Sequence, residues 1–129
     1  MKHFLSILFL SVTTFVSAQI NYVYRDGSDN VYSISETEIK YRPVTKEESS
    51  SGTYSGGEPA HKAITLEDFK KVEALFTKAF GAKSEQQKDR EMLSGVVIKK
   101  KGDKIIKQII LRPGSAHIHK IEELLRSLL

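Results

Sequence analysis

The side chains of this sequence with chemistry to offer are His61, His117 and His119, a hydroxyl and glycine run from Ser49 to Gly57, and a lysine cluster from Lys99 to Lys107. His117-Ile118-His119 sets imidazoles two residues apart, which on a strand would point them at one metal ion, with Glu58 or His61 as a third ligand. On a helix the same spacing turns them apart by about 200°. Ser115 is placed to cap a helix, which puts both histidines in its first turn, so no metal site and no cofactor are assigned.

In Ser49-Ser50-Ser51-Gly52-Thr53-Tyr54-Ser55-Gly56-Gly57, glycine leaves backbone N–H groups accessible beside many hydroxyls. Ser51, Thr53, Tyr54, Ser55, Gly56 and Gly57 are the candidate ligand-binding residues, able to cradle a phosphate, a sugar or a peptide terminus, with Tyr54 stacking on a ring. The run lacks the lysine of a phosphate-binding G-x-x-x-x-G-K-[ST] loop, and a flexible linker has the same composition. Serine catalysis would need a base held near the nucleophile, and no G-x-S-x-G elbow exists to present one. No catalytic residue is assigned. A small hydrolase or metal-dependent enzyme built on His61, His117 and Glu58 stands as the alternative. The adjacent acids Glu47-Glu48, Glu67-Asp68 and Glu122-Glu123 read as solvated pairs.

Lys99, Lys100, Lys101, Lys104 and Lys107 surround a turn in which Asp103 is the sole acid. Such a patch suits an anionic surface: lipid headgroups, lipopolysaccharide phosphates, acidic glycans or an acidic protein. Lysines beside an isoleucine-rich strand also keep that strand from pairing with a neighbour.

The chain has 129 residues, 40% hydrophobic and 28% charged, with a formal net charge of +4 and no cysteine. That composition fills one core and excludes collagen-like, disulfide-stapled and mostly disordered chains. Without a sulfhydryl there is no thiolate zinc site, no redox Cys pair, no thiol nucleophile and no lipidated cysteine.

Lys2, the apolar run from Phe4 to Val12 and the small residues Val16-Ser17-Ala18 follow the order of a secretory signal peptide. Residues 1–18 are expected to be removed, leaving a single domain over residues 19–129 that is periplasmic or secreted. The run is far short of the roughly 20 residues that cross a hydrocarbon core, and no later segment approaches that length. Nucleic acid is not expected as a partner of an exported chain.

Alternation predicts strands around Tyr22 and Tyr24, over Val31–Ser35 and over Glu38–Arg42, with a turn at Asp26–Asn30. Residues 46–62 are expected to form a long Ser/Gly-rich loop. Thr65, Asp68 and the apolar stripe Phe69, Val72, Phe76, Ala79 and Phe80 predict a helix from Leu66 to Phe80 that turns Glu73 away from the core. Ser84 to Met92 reads as a short helix or irregular chain. Gly95–Lys100 and Lys104–Arg112 form a second hairpin, whose return strand is apolar on both sides and is expected in the middle of the sheet. A closing helix carries Ile118, Ile121, Leu124, Leu125 and Leu128 inward and Lys120, Glu122, Glu123 and Arg126 outward.

The fold class that follows is α+β: a two-layer sandwich in which an antiparallel sheet of four to five strands, two hairpin units, is covered on one face by two amphipathic helices. The functional expectation is a small exported non-enzymatic binding protein. It would engage a partner protein or envelope polymer through residues 49–59 and the lysine-rich hairpin 99–107, and an oligomer-forming structural envelope component is a further alternative.

Overall fold

The computed structural model describes residues 18–129, so the expected leader lies outside the described residues except for Ala18. The described chain runs β1 (Ile20–Arg25), β2 (Val31–Ile34), β3 (Glu38–Arg42), β4 (Ala60–Ala63), α1 (Leu66–Gly81), a single 3₁₀ turn (Lys83–Glu85), β5 (Gln86–Gln87), β6 (Gly95–Lys101), β7 (Lys104–Leu111) and α2 (Ala116–Leu128). The strands make one sheet in the order β4-β3-β2-β1-β6-β7-β5, with every neighbouring pair antiparallel. The class is α+β.

The sheet has seven strands where four to five were expected. The two that escaped detection are its edges. β4 pairs with β3 through Glu38↔Ala63 to Tyr41↔Ala60, yet all four of its residues are exposed, so no apolar alternation marks it. β5 lies in the polar stretch after α1 and pairs with only Ile110 and Leu111. Both are held by main-chain hydrogen bonds, to which side-chain periodicity is blind. The long loop accordingly ends at Pro59.

Helix α1 begins as its sequence dictates. The Thr65 hydroxyl accepts from the Asp68 N–H at 3.1 Å, and the Asp68 carboxylate accepts from the Thr65 N–H at 3.2 Å. Helix α2 begins differently. Ser115 occupies the N-cap position, but its hydroxyl is buried without a partner, and Glu85 from the 3₁₀ turn accepts the His117 N–H at 3.0 Å. A carboxylate distant in sequence has taken over the cap, because it offers the N-terminal dipole a full negative charge.

One buried cluster joins the sheet to both helices. Tyr22, Tyr24, Tyr32, Ile34, Ile39, Val97 and Leu111 share a face by strand register, and they meet Phe69, Val72, Phe76, Ala79 and Phe80 of α1 and Ile118, Ile121 and Leu125 of α2. Gly95 lies on the same face. A Cβ there would stand 2.9 Å from the Tyr24 hydroxyl and 3.1 Å from Ile118, so only glycine lets ring and helix approach.

β1 is the middle strand of the seven, and its two core tyrosines are fully buried. A buried phenol needs a partner for its hydroxyl. Tyr22 donates to Glu73 of α1 at 3.0 Å and Tyr24 to Glu122 of α2 at 3.1 Å. The expectation that Glu73 and Glu122 simply face solvent is thus corrected: each sits at the border of its helix's apolar stripe and ties that helix to the central strand. Burial pushes both hydroxyls well above the usual phenol range, and the neighbouring carboxylates push further in the same direction. Tyr32 is pushed up to about 12, also by burial first.

β7 is a second correction. It pairs along its length with β6, but on its other side only Ile110 and Leu111 meet β5, so it borders the edge instead of occupying the middle. Its double-sided apolar pattern leaves Ile105 and Ile106 exposed.

Replacing Tyr22 or Tyr24 by Phe is expected to cost about 1–2 kcal/mol each in urea unfolding, the lower part of the range for bonds to charged acceptors because both carboxylates keep water contact. Because folding raises these phenol pKa values, the stability they confer is intact below the unfolded value near 10 and is lost as pH rises beyond it. The Tyr22→Phe/Tyr24→Phe double variant should show a flatter decline of unfolding midpoint between pH 9 and 11.5.

Candidate functional site

At the end of the sheet where β1 turns into β2, three loops meet: the Asp26–Asn30 turn, residues 43–59 and residues 88–94. Asn30 is their hub. Almost wholly buried, it accepts the Val44 N–H on Oδ1 at 2.9 Å and donates from Nδ2 to Asp26 Oδ2 at 2.9 Å and to the Tyr54 hydroxyl at 3.2 Å. Asp26 in turn accepts the Ser28 and Asn30 N–H groups at 2.9 and 3.0 Å, the local pattern expected of an Asx-rich turn. Arg90 stitches on the third loop, donating to Asp26 O at 2.8 Å, to Asp29 Oδ1 at 2.9 Å and to the Ser94 hydroxyl at 3.1 Å. The Ser94 hydroxyl donates to Glu91 O at 2.6 Å and closes the 91–94 turn.

These loops enclose an open cleft of about 590 Å³ lined by Asp29, Val44, Glu48, Ser51, Tyr54, Arg90, Met92 and Leu93, among others. Its rim is apolar, with Met92 85% and Leu93 62% exposed and Tyr54 exposed beside them. Leu93 holds φ at +67°, the left-handed region that a leucine occupies only at a cost of about 1–2 kcal/mol. The lining mixes charged and hydroxyl side chains, Asp29, Glu48, Ser51 and Arg90, with the large apolar side chains of Met92 and Leu93.

The structure divides the expected loop residues. Ser51 and Tyr54 line the cleft. Thr53 shares a hydroxyl contact with Ser51 at 3.0 Å, while Ser55 and Gly57 line a separate depression with Arg42, Lys46 and Glu58. Gly56 is structural: its N–H donates to Val44 O at 2.9 Å and its carbonyl accepts the Tyr41 hydroxyl at 2.6 Å. A Cβ on it would lie 1.9 Å from Asn30 Oδ1, so only glycine lets this stretch of the loop pass against the Asn30 amide. Asn30, Arg90, Met92 and Leu93 were not legible as site residues. The Asp26–Asn30 cluster signalled a turn, but nothing in the sequence says that Asn30 reaches across to Val44 and Tyr54.

The residues of the enzymatic alternative do not converge. His61 sits on β4 at one edge of the sheet, with Glu58 shortly before it in the loop. His117 sits on α2 beside Glu85, which immediately precedes β5, toward the opposite edge of the sheet from β4. Its ring Nδ1 pairs with the Glu85 carboxylate, and His119 faces Glu123 at 3.8 Å on another side of α2. Among the described residues no group of three His, Asp or Glu side chains is placed to hold a metal ion. The His117 N–H holds the Glu85 carboxyl below the usual carboxylate range, helped by the imidazole and opposed by partial desolvation. This pair is the cap of α2.

Lys99, Lys100, Lys101, Lys104 and Lys107 cluster along the β6–β7 hairpin, remote in the sheet from β4. Lys107 lies over the Phe80 ring, its Nζ 5.6 Å from the centroid. No family model, curated protein or solved structure matches the chain.

Asn30→Ala should cost about 2–4 kcal/mol, since it orphans the buried Val44 N–H and frees Tyr54, and amide exchange should rise across residues 43–59 with β6 and β7 unchanged. Glu85→Gln should be less stable than wild type by about 0.5–1 kcal/mol at pH 7. The folded carboxyl pKa is depressed, so that margin is complete above the unfolded value near 4.3 and vanishes as pH falls through the lower folded value; urea midpoints from pH 7 to pH 2.5 measure it.

Proposed function

We propose that the chain is a small exported, non-enzymatic binding module that takes a partner protein or envelope polymer at the cleft between its three loops. One observation carries this reading: Tyr54, Met92 and Leu93 are exposed on loops immobilised by the Asn30 and Arg90 networks. Apolar side chains on ordered loops form a recognition surface whose ordering cost is met before the partner arrives. The positive φ of Leu93 adds to it: at the third position of the Glu91–Ser94 turn, where glycine or asparagine would fit at less cost, the chain carries a large exposed apolar side chain. Export is supported by the basic, apolar and small-residue order of residues 1–18. The lysine-rich hairpin is a second contact surface, suited by its charge to an anionic partner. The scaffold beneath is a two-layer sandwich, with α1 and α2 on the tyrosine face of the sheet.

A photo-crosslinking side chain at position 92, introduced in the native organism, is expected to capture one partner whose yield falls when Leu93 is replaced by Gly. Leu93→Gly itself should leave the fold as stable or up to about 1 kcal/mol more stable, because glycine adopts positive φ without the Cβ clash. Capture indistinguishable from that of a crosslinker at exposed Lys46, or undiminished by Leu93→Gly, overturns the cleft reading. Intact mass of the natural protein tests export separately, the expected species beginning at Gln19.

A further inference from the structure

The edge of the sheet at β7 presents a different kind of surface. From Lys104 to Ile109, β7 has β6 on one side and no strand on the other among the described residues, so alternate residues turn their N–H and C=O groups outward with nothing to receive them. A one-residue bulge at Ile106, between the Lys99↔Lys107 and Lys100↔Ile105 pairs, brings two adjacent isoleucines to the surface, 51% and 45% exposed. Where β5 stops, a depression of about 330 Å³ opens between Gln87, Lys88, Gln108 and Ile110, in line with the vacant edge. The strand therefore combines unpaired main chain, exposed aliphatic side chains and a pocket at one end, the features by which a sheet accepts an added strand.

Charge selects the occupant. Lys104 and Lys107 lie on this edge strand and Lys99, Lys100 and Lys101 one strand inward on β6, with Asp103 as the sole acid in the hairpin. A second copy pairing edge to edge would bring β7 lysines against β7 lysines, and like charges on facing strands are destabilising. The same lysines favour a strand that alternates acidic and aliphatic residues, its acids meeting the ammonium groups and its aliphatics covering Ile105 and Ile106. We propose that the Lys104–Ile109 edge of β7 accepts an extended acidic segment of another protein as an eighth strand. The proposal deepens the binding-module reading at its second surface and stands apart from the loop cleft.

The test uses the mature chain and a ten-residue peptide of alternating Glu and Val, with the Lys and Val counterpart as control, read by amide shifts and hydrogen exchange. The acidic peptide is expected to slow exchange at alternate amides of residues 104–109, and the basic one to leave them unchanged. Lys101→Glu/Lys104→Glu, a pair of exposed positions that leaves Lys107 on the Phe80 ring, should weaken the acidic peptide about tenfold and admit the basic one. An acidic peptide N-methylated on alternate residues should bind at least about tenfold more weakly, since it loses the main-chain bonds. The proposal is overturned by unprotected β7 amides, by equal binding of the methylated peptide, which would mark a merely electrostatic contact such as anionic lipid or glycan would make, or by a concentration-dependent dimer through this edge that the acidic peptide does not displace. Because the readout is confined to β7, these outcomes are independent of any result at Met92 and Leu93.

Discussion

The structure depends on satisfying two phenol hydroxyls in the middle of an apolar core. β1 is the central strand, and its Tyr22 and Tyr24 fill the space beneath both helices more completely than aliphatic side chains of the same strand could. Each ring brings a polar atom that must be paired once water is gone. Glu73 and Glu122 provide the acceptors from the borders of α1 and α2, so one strand sets the position of both helices. The Tyr22 ring meets Phe76 edge-on with centroids 5.1 Å apart, and Tyr24, Tyr32 and Tyr41 continue as a row of tilted rings across β1, β2 and β3. Gly95 exists in this scheme as the gap that Tyr24 occupies.

With both helices packed into the tyrosine cluster, the loops at the sheet end are left to organise themselves. They do so through Asn30 and Arg90, side chains able to bond several main-chain groups at once, in place of a hydrophobic core. Hydrogen bonds of this kind immobilise backbone without consuming apolar surface, and that is why Met92, Leu93 and Tyr54 remain outside. The rigid sheet and the apolar rim are complementary results of one division of labour: tyrosines and phenylalanines inside, amides and guanidinium at the end.

Elements with strong local signals were legible in the sequence. α1 shows its capping box and stripe, β1, β2 and β3 show their alternation and β6 shows a short apolar run before a turn, because the same burial that creates those patterns also stabilises the elements. β4 and β5 were not legible, since Ala60–Ala63 is exposed and held by backbone bonds, and Gln86 turns inward as a polar side chain that donates to the Ala79 and Phe80 carbonyls at the end of α1, which no apolar pattern signals. The position of β7 was misread for a related reason. Residues apolar on both sides ordinarily mean cover on both sides, and here Ile105 and Ile106 lie where the sheet ends. The cap of α2 went to Glu85 instead of Ser115 through a contact across 32 residues that local propensity does not register.

By itself the sequence determined the class of the fold, the helix that Thr65 and Asp68 begin, the turn at Asp26–Asn30 and the exclusion of sulfur chemistry, since each follows from neighbours along the chain or from composition. Only the tertiary structure decided which strands end the sheet, which glutamates turn inward, that Gly56 bonds to Val44 and Tyr41, and that His61 and His117 lie toward opposite edges. Those outcomes arise where a side chain meets a partner dozens of residues away. Such meetings are set by the packing of β1 against both helices, and no local pattern encodes them.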